Sequence, residues 1–280
     1  MREALTASLY TISNGKEVRK LFNSYEFSFA GESSLMYGLM IYDIGSHTQS
    51  DVPFGNVAKI VETRTNNRIR PIHYGVNYHS SPLQFKLVFG SLEPLDRYEM
   101  ENIAFWLTGH QDYQWLSIDQ PDLERVQFRC LITQLQPITD GWIPYAFEAT
   151  VACDCPYAYG FPFEYRYDIN GTADILFRND SSVREYIKPI LTYVPTSGGT
   201  LSIVNHNDND REFRLTGIPS SITAVIDNDN GIIQDTTSNV NLYDGFNLNF
   251  FRFVHGDNNL TVTGKGPLII SGRLLYNVAG

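Results

Sequence analysis

The sequence predicts a mainly β protein in two parts: a strand-rich α+β domain with one helix, then an antiparallel β-sandwich. Three observations lead there. Aromatics recur at every second position in the early segments, and the 280 residues hold 17 Tyr and 17 Phe, ring types that pack well on a pleated, half-buried surface. A single stretch, about 94–108, repeats its apolar residues at helical spacing. From residue 164 onward, short apolar segments alternate with Gly/Asn/Asp turns and no helical period appears. The expected division is therefore 1–163 and 164–280.

In Tyr25-Glu26-Phe27-Ser28-Phe29 the rings fall on one face of a strand, which makes Phe27 and Phe29 candidate core residues. A second apolar run, Leu39–Tyr42, follows Gly31. From Gly45 to Pro82 the chain turns polar, with Pro53, Pro71 and Pro82, and reads as an extended hairpin arm outside the core (about 45–82). Alternation returns in Leu83–Phe89. The helix comes next, with Pro94 near its start, Asp96 and Glu99 suited to the positive end of its dipole, and Gly109 placed to end it. Met100, Ile103, Trp106 and Leu107 form its buried stripe. Strands are expected at 115–118, 126–134 and 145–153, the last burying Phe147.

Cys155-Pro156-Tyr157-Ala158-Tyr159-Gly160 breaks the pattern and reads as an ordered linker built on Pro156, Tyr157 and Tyr159. Beyond it, strands are expected at 187–194, 200–204, 212–215, 224–226, 231–234, 247–253, 259–263 and 268–276. Asp227-Asn228-Asp229-Asn230-Gly231 resembles the start of a calcium loop. Its Gly arrives one position early and no Glu follows at the twelfth. A hairpin turn with Asn230 and Gly231 at positive φ is the simpler reading.

The formal net charge is −10, and Lys and Arg are not clustered. Nucleic-acid binding through phosphates needs the opposite. No stretch approaches the roughly 20 apolar residues of a membrane span. The segment Met1–Tyr10, with Arg2 and Glu3, is not expected to be a signal peptide. Three cysteines suit a reducing compartment, and Cys153 with Cys155 reads as a buried, inert thiol pair. Nucleophile-elbow, dinucleotide, phosphate-loop and paired-His patterns are absent from the sequence. No catalytic, cofactor or metal residue is therefore expected.

Four segments, in order, resemble the distal tail protein of long-tailed bacteriophages, the siphovirus tail component family. They are Phe27–Ser34 with Tyr37-Gly38-Leu39; Phe105-Trp106-Leu107; Phe147–Tyr159; and, in the second half, Lys188-Pro189-Ile190, Leu215-Thr216-Gly217, Ile226-Asp227 and His255–Leu260. The resemblance implies an N-terminal domain that closes a hexameric ring through a belt arm, and a galectin-like C-terminal sandwich. It implies a structural virion protein at the tail tip, assembled in the host bacterial cytoplasm and not an enzyme. Its partners would be copies of itself, the tail tube protein, the tail tip protein and a receptor-binding protein. The charge then suggests an acidic channel wall past which DNA slides. The alternative is a carbohydrate-binding module assisting adsorption, whose mark would be an exposed aromatic beside convergent polar groups.

Overall fold

The computed structural model describes residues 26–41, 59–66, 68–77, 81–119, 123–220, 222–236 and 240–278. Tyr25, Tyr42 and the first part of the expected arm (45–58) lie outside the described residues.

The first sheet starts with β1 (Phe27–Phe29) and β2 (Glu32–Ser33), joined through Ala30 and Gly31, both at positive φ. A 3₁₀ turn, Ser34–Tyr37, leads to β3 (Met40–Ile41). Next, β4 (Lys59–Thr63) and β5 (Ile72–Asn77) pair only with each other among the described residues. They are followed by β6 (Gln84–Gly90), helix α1 (Arg97–Thr108), β7 (Gln114–Ile118), β8 (Val126–Asp140), β9 (Ile143–Cys153) and β10 (Ala158–Gly160). The strands order as β2-β1-β7-β8-β9-β6-β3, antiparallel, with β10 on the start of β8.

Helix α1 begins in a full capping box, finer than a simple dipole match. The Asp96 carboxylate accepts from the Glu99 N–H at 2.8 Å, and the Glu99 carboxylate accepts from the Asp96 N–H at 2.8 Å. It ends at Gly109, whose N–H donates to the Phe105 carbonyl at φ −78°, so no left-handed cap is used. Ile103, Trp106 and Leu107 are buried. Trp106 ties helix to sheet: its indole N–H donates to the Phe29 carbonyl at 3.1 Å, and its ring stacks on Phe27 at 5.8 Å. Burial of each such side chain contributes about 2–3 kcal/mol.

The second half contains β11 (Phe163–Asn179), β12 (Ile190–Tyr193), β13 (Gly199–Asn205), β14 (Arg211–Ile218), β15 (Ala224–Asp227), β16 (Ile232–Asp235), β17 (Gly256–Gly272) and β18 (Leu275–Tyr276). They follow the path β14-β13-β17-β12-β15-β16, and β11 runs along β17 from Phe163↔Gly272 to Asn179↔Gly256. Strand β17 pairs with β13 over Leu260–Thr263 and with β12 over Leu268–Ser271. The change of partner falls at Gly264 and Gly266, and Gly264 faces Gly171 of β11. Glycines at this point let both long strands bend and fold the sheet over its core. That core includes Leu191, Leu201, Ile203, Leu215, Ile226, Phe253 and Val262. It is separate from the cluster around Trp106 in the first half.

Several expectations differ from this arrangement. Strand β11 was not expected, because its alternation carries charged residues at the outward positions. The two strands expected at 259–263 and 268–276 are mostly one bent strand, while Leu275–Tyr276 turns back to pair with β10 in the first sheet. The strand expected at Asn247–Phe253 does not form; this stretch makes only isolated bridges, Leu215↔Phe246 and Ile187↔Phe253. Buried asparagines instead bond the backbone from Phe251 to Val254. Asn228 accepts from the Phe251 N–H, Asn205 donates to the Arg252 carbonyl, Asn258 accepts from the Val254 N–H, and Asn179 donates to the Val254 carbonyl. Satisfied this way, the backbone has no need of a ladder.

Candidate functional site

Four surface features could carry a function. The first is apolar and lies over the Trp106 cluster. Helix α1 turns Tyr98 and Phe105, seven residues apart, to solvent, with Phe105 80% exposed. Leu35 and Met36 of the 3₁₀ turn are also exposed. Tyr37 from that turn stacks flat on Trp106 at 4.4 Å. Its hydroxyl donates to Glu32, which pushes the phenol up to about 12 and keeps it a neutral donor.

The second is the β4–β5 hairpin. Ile60, Val61 and Tyr74, and Ile69 in its loop, are exposed. A two-stranded sheet is marginal by itself and leaves edge N–H and C=O groups for another chain.

The third is the β8–β9 turn, Gly141-Trp142, with φ of 55° and 81°. Two left-handed residues match the twist of a two-residue hairpin, yet the second position normally takes Gly. Trp142 occupies it and is 97% exposed.

The fourth is a polar cleft of about 590 Å³ between the Asp208–Glu212 turn and the irregular stretch after Phe246. Asp208, 5% exposed, grips Arg252 with both carboxylate oxygens at 2.7 and 3.0 Å. The Arg252 guanidinium lies 3.7 Å over the half-exposed Tyr186 ring. Glu212 grips Arg214 in the same two-point way, and that guanidinium holds the carboxyl below its usual range. Arg211, Asn247 and Asn249 complete the wall.

The two halves are pinned together by Arg273, which follows β17. It donates to the Gln127 side chain at 2.8 Å and to the Gly160 carbonyl at 2.9 Å, and covers the Trp115 ring at 3.7 Å. Burial lowers its pKa from the ordinary guanidinium value.

A family model described as a phage tail protein N-terminal domain matches residues 22–155, and one described as a phage tail C-terminal domain matches residues 157–271. The chain belongs to this family of phage tail proteins. The tail protein is similar in fold to SPP1 Dit (gp 19.1), whose crystal structure is described as a paradigm of the hub adsorption apparatus in Gram-positive infecting phages. The TM-score is 0.63 at 7% identity, covering 89% of this chain and 99% of that one. Chains of the phage p2 baseplate in its activated conformation also match: the strontium form at TM-score 0.49 and the calcium form at 0.47, each at 9% identity. They cover 88% and 84% of this chain, and 97% and 90% of their own. No curated protein sequence matches significantly.

In the tail protein, Phe27, Phe29, Trp106, Leu107 and Phe147 all sit in the first core. Tyr157 is buried and half-buried Pro156 precedes it. The Tyr159 hydroxyl donates to Asp154, and its ring meets Trp115 edge-on at 5.4 Å. Gly231 alone of the turn pair takes positive φ, at 69°. Burial works against ionisation of Asp227. Its carboxylate nonetheless accepts from both the backbone N–H and the side-chain amide of Asn230 and from the Asp229 N–H, which hold its pKa low. Hydrogen bonds within the turn thus account for the acidic motif. Cys153 lies opposite Cys130 across β8–β9, not beside Cys155, and their contact and burial raise its pKa. Cys155 instead donates to the Tyr157 carbonyl. The sequence reading missed Tyr98, Phe105, Trp142, Arg273 and the cleft. For Tyr98 and Phe105 the signal was present, since they lie opposite the buried stripe of α1.

Proposed function

We propose that this phage tail protein is the ring subunit of the distal tail, closing head-to-tail with five further copies and linking the tail tube to the tip or receptor-binding apparatus. The role is structural and not enzymatic, with assembly in the host cytoplasm. The observation that carries the reading is the fold shared with SPP1 Dit along nearly both whole chains. The β4–β5 hairpin supports it. Added to a neighbour's sheet edge, it would bury Ile60, Val61 and Tyr74 and supply backbone hydrogen bonds. A heterologous contact of this kind closes into a ring when its rotation permits.

Light scattering behind a sizing column tests this. The chain weighs 31.8 kDa, so a closed hexamer runs at about 190 kDa. A variant with residues 59–77 replaced by a short Gly/Ser turn is expected to run at the mass of one chain with its β-type circular dichroism retained. A single-chain mass for the unaltered protein from micromolar to millimolar concentration would overturn the ring.

A further inference from the structure

We propose that Cys130 and Cys153 are an oxidisable cross-strand dithiol, which a small-molecule disulfide closes into a covalent bond once the protein leaves a reducing compartment. The backbone sets the pair up. Cys130 of β8 and Cys153 of β9 face each other in register. The Asp154 N–H donates to the Arg129 carbonyl at 3.0 Å, whereas the Cys153 N–H turns away to the Leu83 carbonyl at 2.8 Å. The two cysteines therefore hold a non-hydrogen-bonded position of the ladder, where opposed Cα atoms approach to about 4.5 Å. Disulfides span Cα separations of about 4.4–6.8 Å, so this position is within reach of one.

The side chains agree with the backbone. Both cysteines are on the core face, in line with Phe128 and Ile132 on β8 and with Ala149 and Val151 on β9. The two thiols are in contact, and both are free. Joining them removes two hydrogen atoms and adds no volume, so the close-packed neighbours keep their places. The third thiol is engaged elsewhere: half-buried Cys155 donates to the Tyr157 carbonyl at 3.0 Å and accepts from the Tyr157 N–H at 3.4 Å. A bond at Cys130–Cys153 would clamp the root of a hairpin that has little else to hold it. Beyond Ile132, β8 is exposed or half-buried on both faces, and at the tip Trp142 is 97% exposed. The cross-link encloses that whole hairpin and restricts the chain once it opens.

The exchange balances. Cys153 loses its proton to water, and its thiolate attacks one sulfur of the oxidant, expelling a thiolate that takes up a proton. Cys130 then loses its proton and attacks the Cys153 sulfur of the mixed disulfide, expelling the second small thiol. Two protein thiols become one disulfide, and the oxidant is reduced to two thiols. Contact with Cys130 and burial raise the Cys153 pKa, so the exchange is slow at neutral pH and quickens as pH rises. Cys153 is the last residue of β9, and opening of the strand end is enough to admit the oxidant. The cytoplasmic assembly proposed above sets only the timing, because thiols stay reduced there; the chemistry is tested on the chain alone.

The reduced full-length protein and its Cys155→Ser variant are held overnight in native buffer at about pH 8.5 with oxidised glutathione. The Cys155→Ser protein is expected to lose the mass of two hydrogen atoms. Proteolysis without reductant is expected to yield fragments joined through Cys130 and Cys153 from both proteins. The oxidised Cys155→Ser protein should melt about 5 °C higher and return to its starting value on reduction. Cys130→Ser should give no internal bond. Glutathione adducts on Cys130 or Cys153 in place of the bond, a bond that involves Cys155, two thiols still free after oxidation, or closure only in denaturant overturns the proposal.

Discussion

At the scale of single residues, the same side-chain chemistry serves opposite ends according to its neighbours. Asp227 shows how an acidic run that resembles a metal loop becomes a turn. Three N–H groups point at one carboxylate, and the next strand starts after Gly231 has reversed the chain. A carboxyl held low in the folded state contributes stability above its unfolded value, near 3.9, and loses it as pH falls through the folded value. Asp227→Ala is therefore expected to lower stability by about 1 kcal/mol at pH 7. The gap to wild type should narrow as pH falls below about 4, as urea melts at pH 7 and pH 3 would report. A gap that is constant with pH would mean that the turn does not depend on the charge. Buried asparagines act in a comparable way, beginning with Asn228 next to Asp227, whose amide oxygen accepts from the Phe251 N–H in place of a β-ladder.

At the scale of elements, most pieces obey local rules and one breaks them. Helix α1 has the capping box, the buried stripe and the terminal Gly that its sequence suggests. The β8–β9 hairpin instead places Trp142 where the turn favours Gly, and leaves the ring in solvent. A left-handed non-Gly residue costs roughly 1–2 kcal/mol. Trp142→Gly is accordingly expected to raise the stability of the isolated chain by about 1 kcal/mol, seen as a higher melting temperature. If the tip is retained for a contact between tail proteins, the same change weakens that contact. A stabilised variant that assembles like wild type would show that the ring contributes nothing to assembly.

At the scale of the whole molecule, the two cores are joined where the end of the chain meets the first sheet. The end of the chain crosses from β17 to β18 in the first sheet, and Arg273 fastens the crossing to Gln127, Gly160 and Trp115. Arg273→Ala removes two hydrogen bonds to a partly buried charge, about 1.5–3 kcal/mol each, and uncovers Trp115. Calorimetry is expected to resolve two unfolding steps in the variant where wild type shows one. An unchanged single transition would place the coupling between the halves elsewhere. Arg273→Lys should not restore it, since an ammonium has no flat face to lie on the Trp115 ring as the guanidinium does.

The sequence by itself determined whatever depends on neighbours a few residues away. This covers the strand character of both halves and the single helix with its buried face, whereas Tyr159, read as linker, belongs to β10 and Asn230 stays out of positive φ. Periods of two and of 3.6 residues, caps and turn residues are local signals, and local signals survive in a one-dimensional reading. Only the tertiary structure decided that 163–179 is a strand, because its partner, 256–272, lies some ninety residues on and the register is set by that pairing. It alone decided that 247–253 is not a strand, since the asparagines that bond its backbone come from positions 205 and 228, and those that hold Val254 just after it come from 179 and 258. The polar cleft depends on the same event: its walls, 208–214 and 247–252, become neighbours only once those amides have bent the chain.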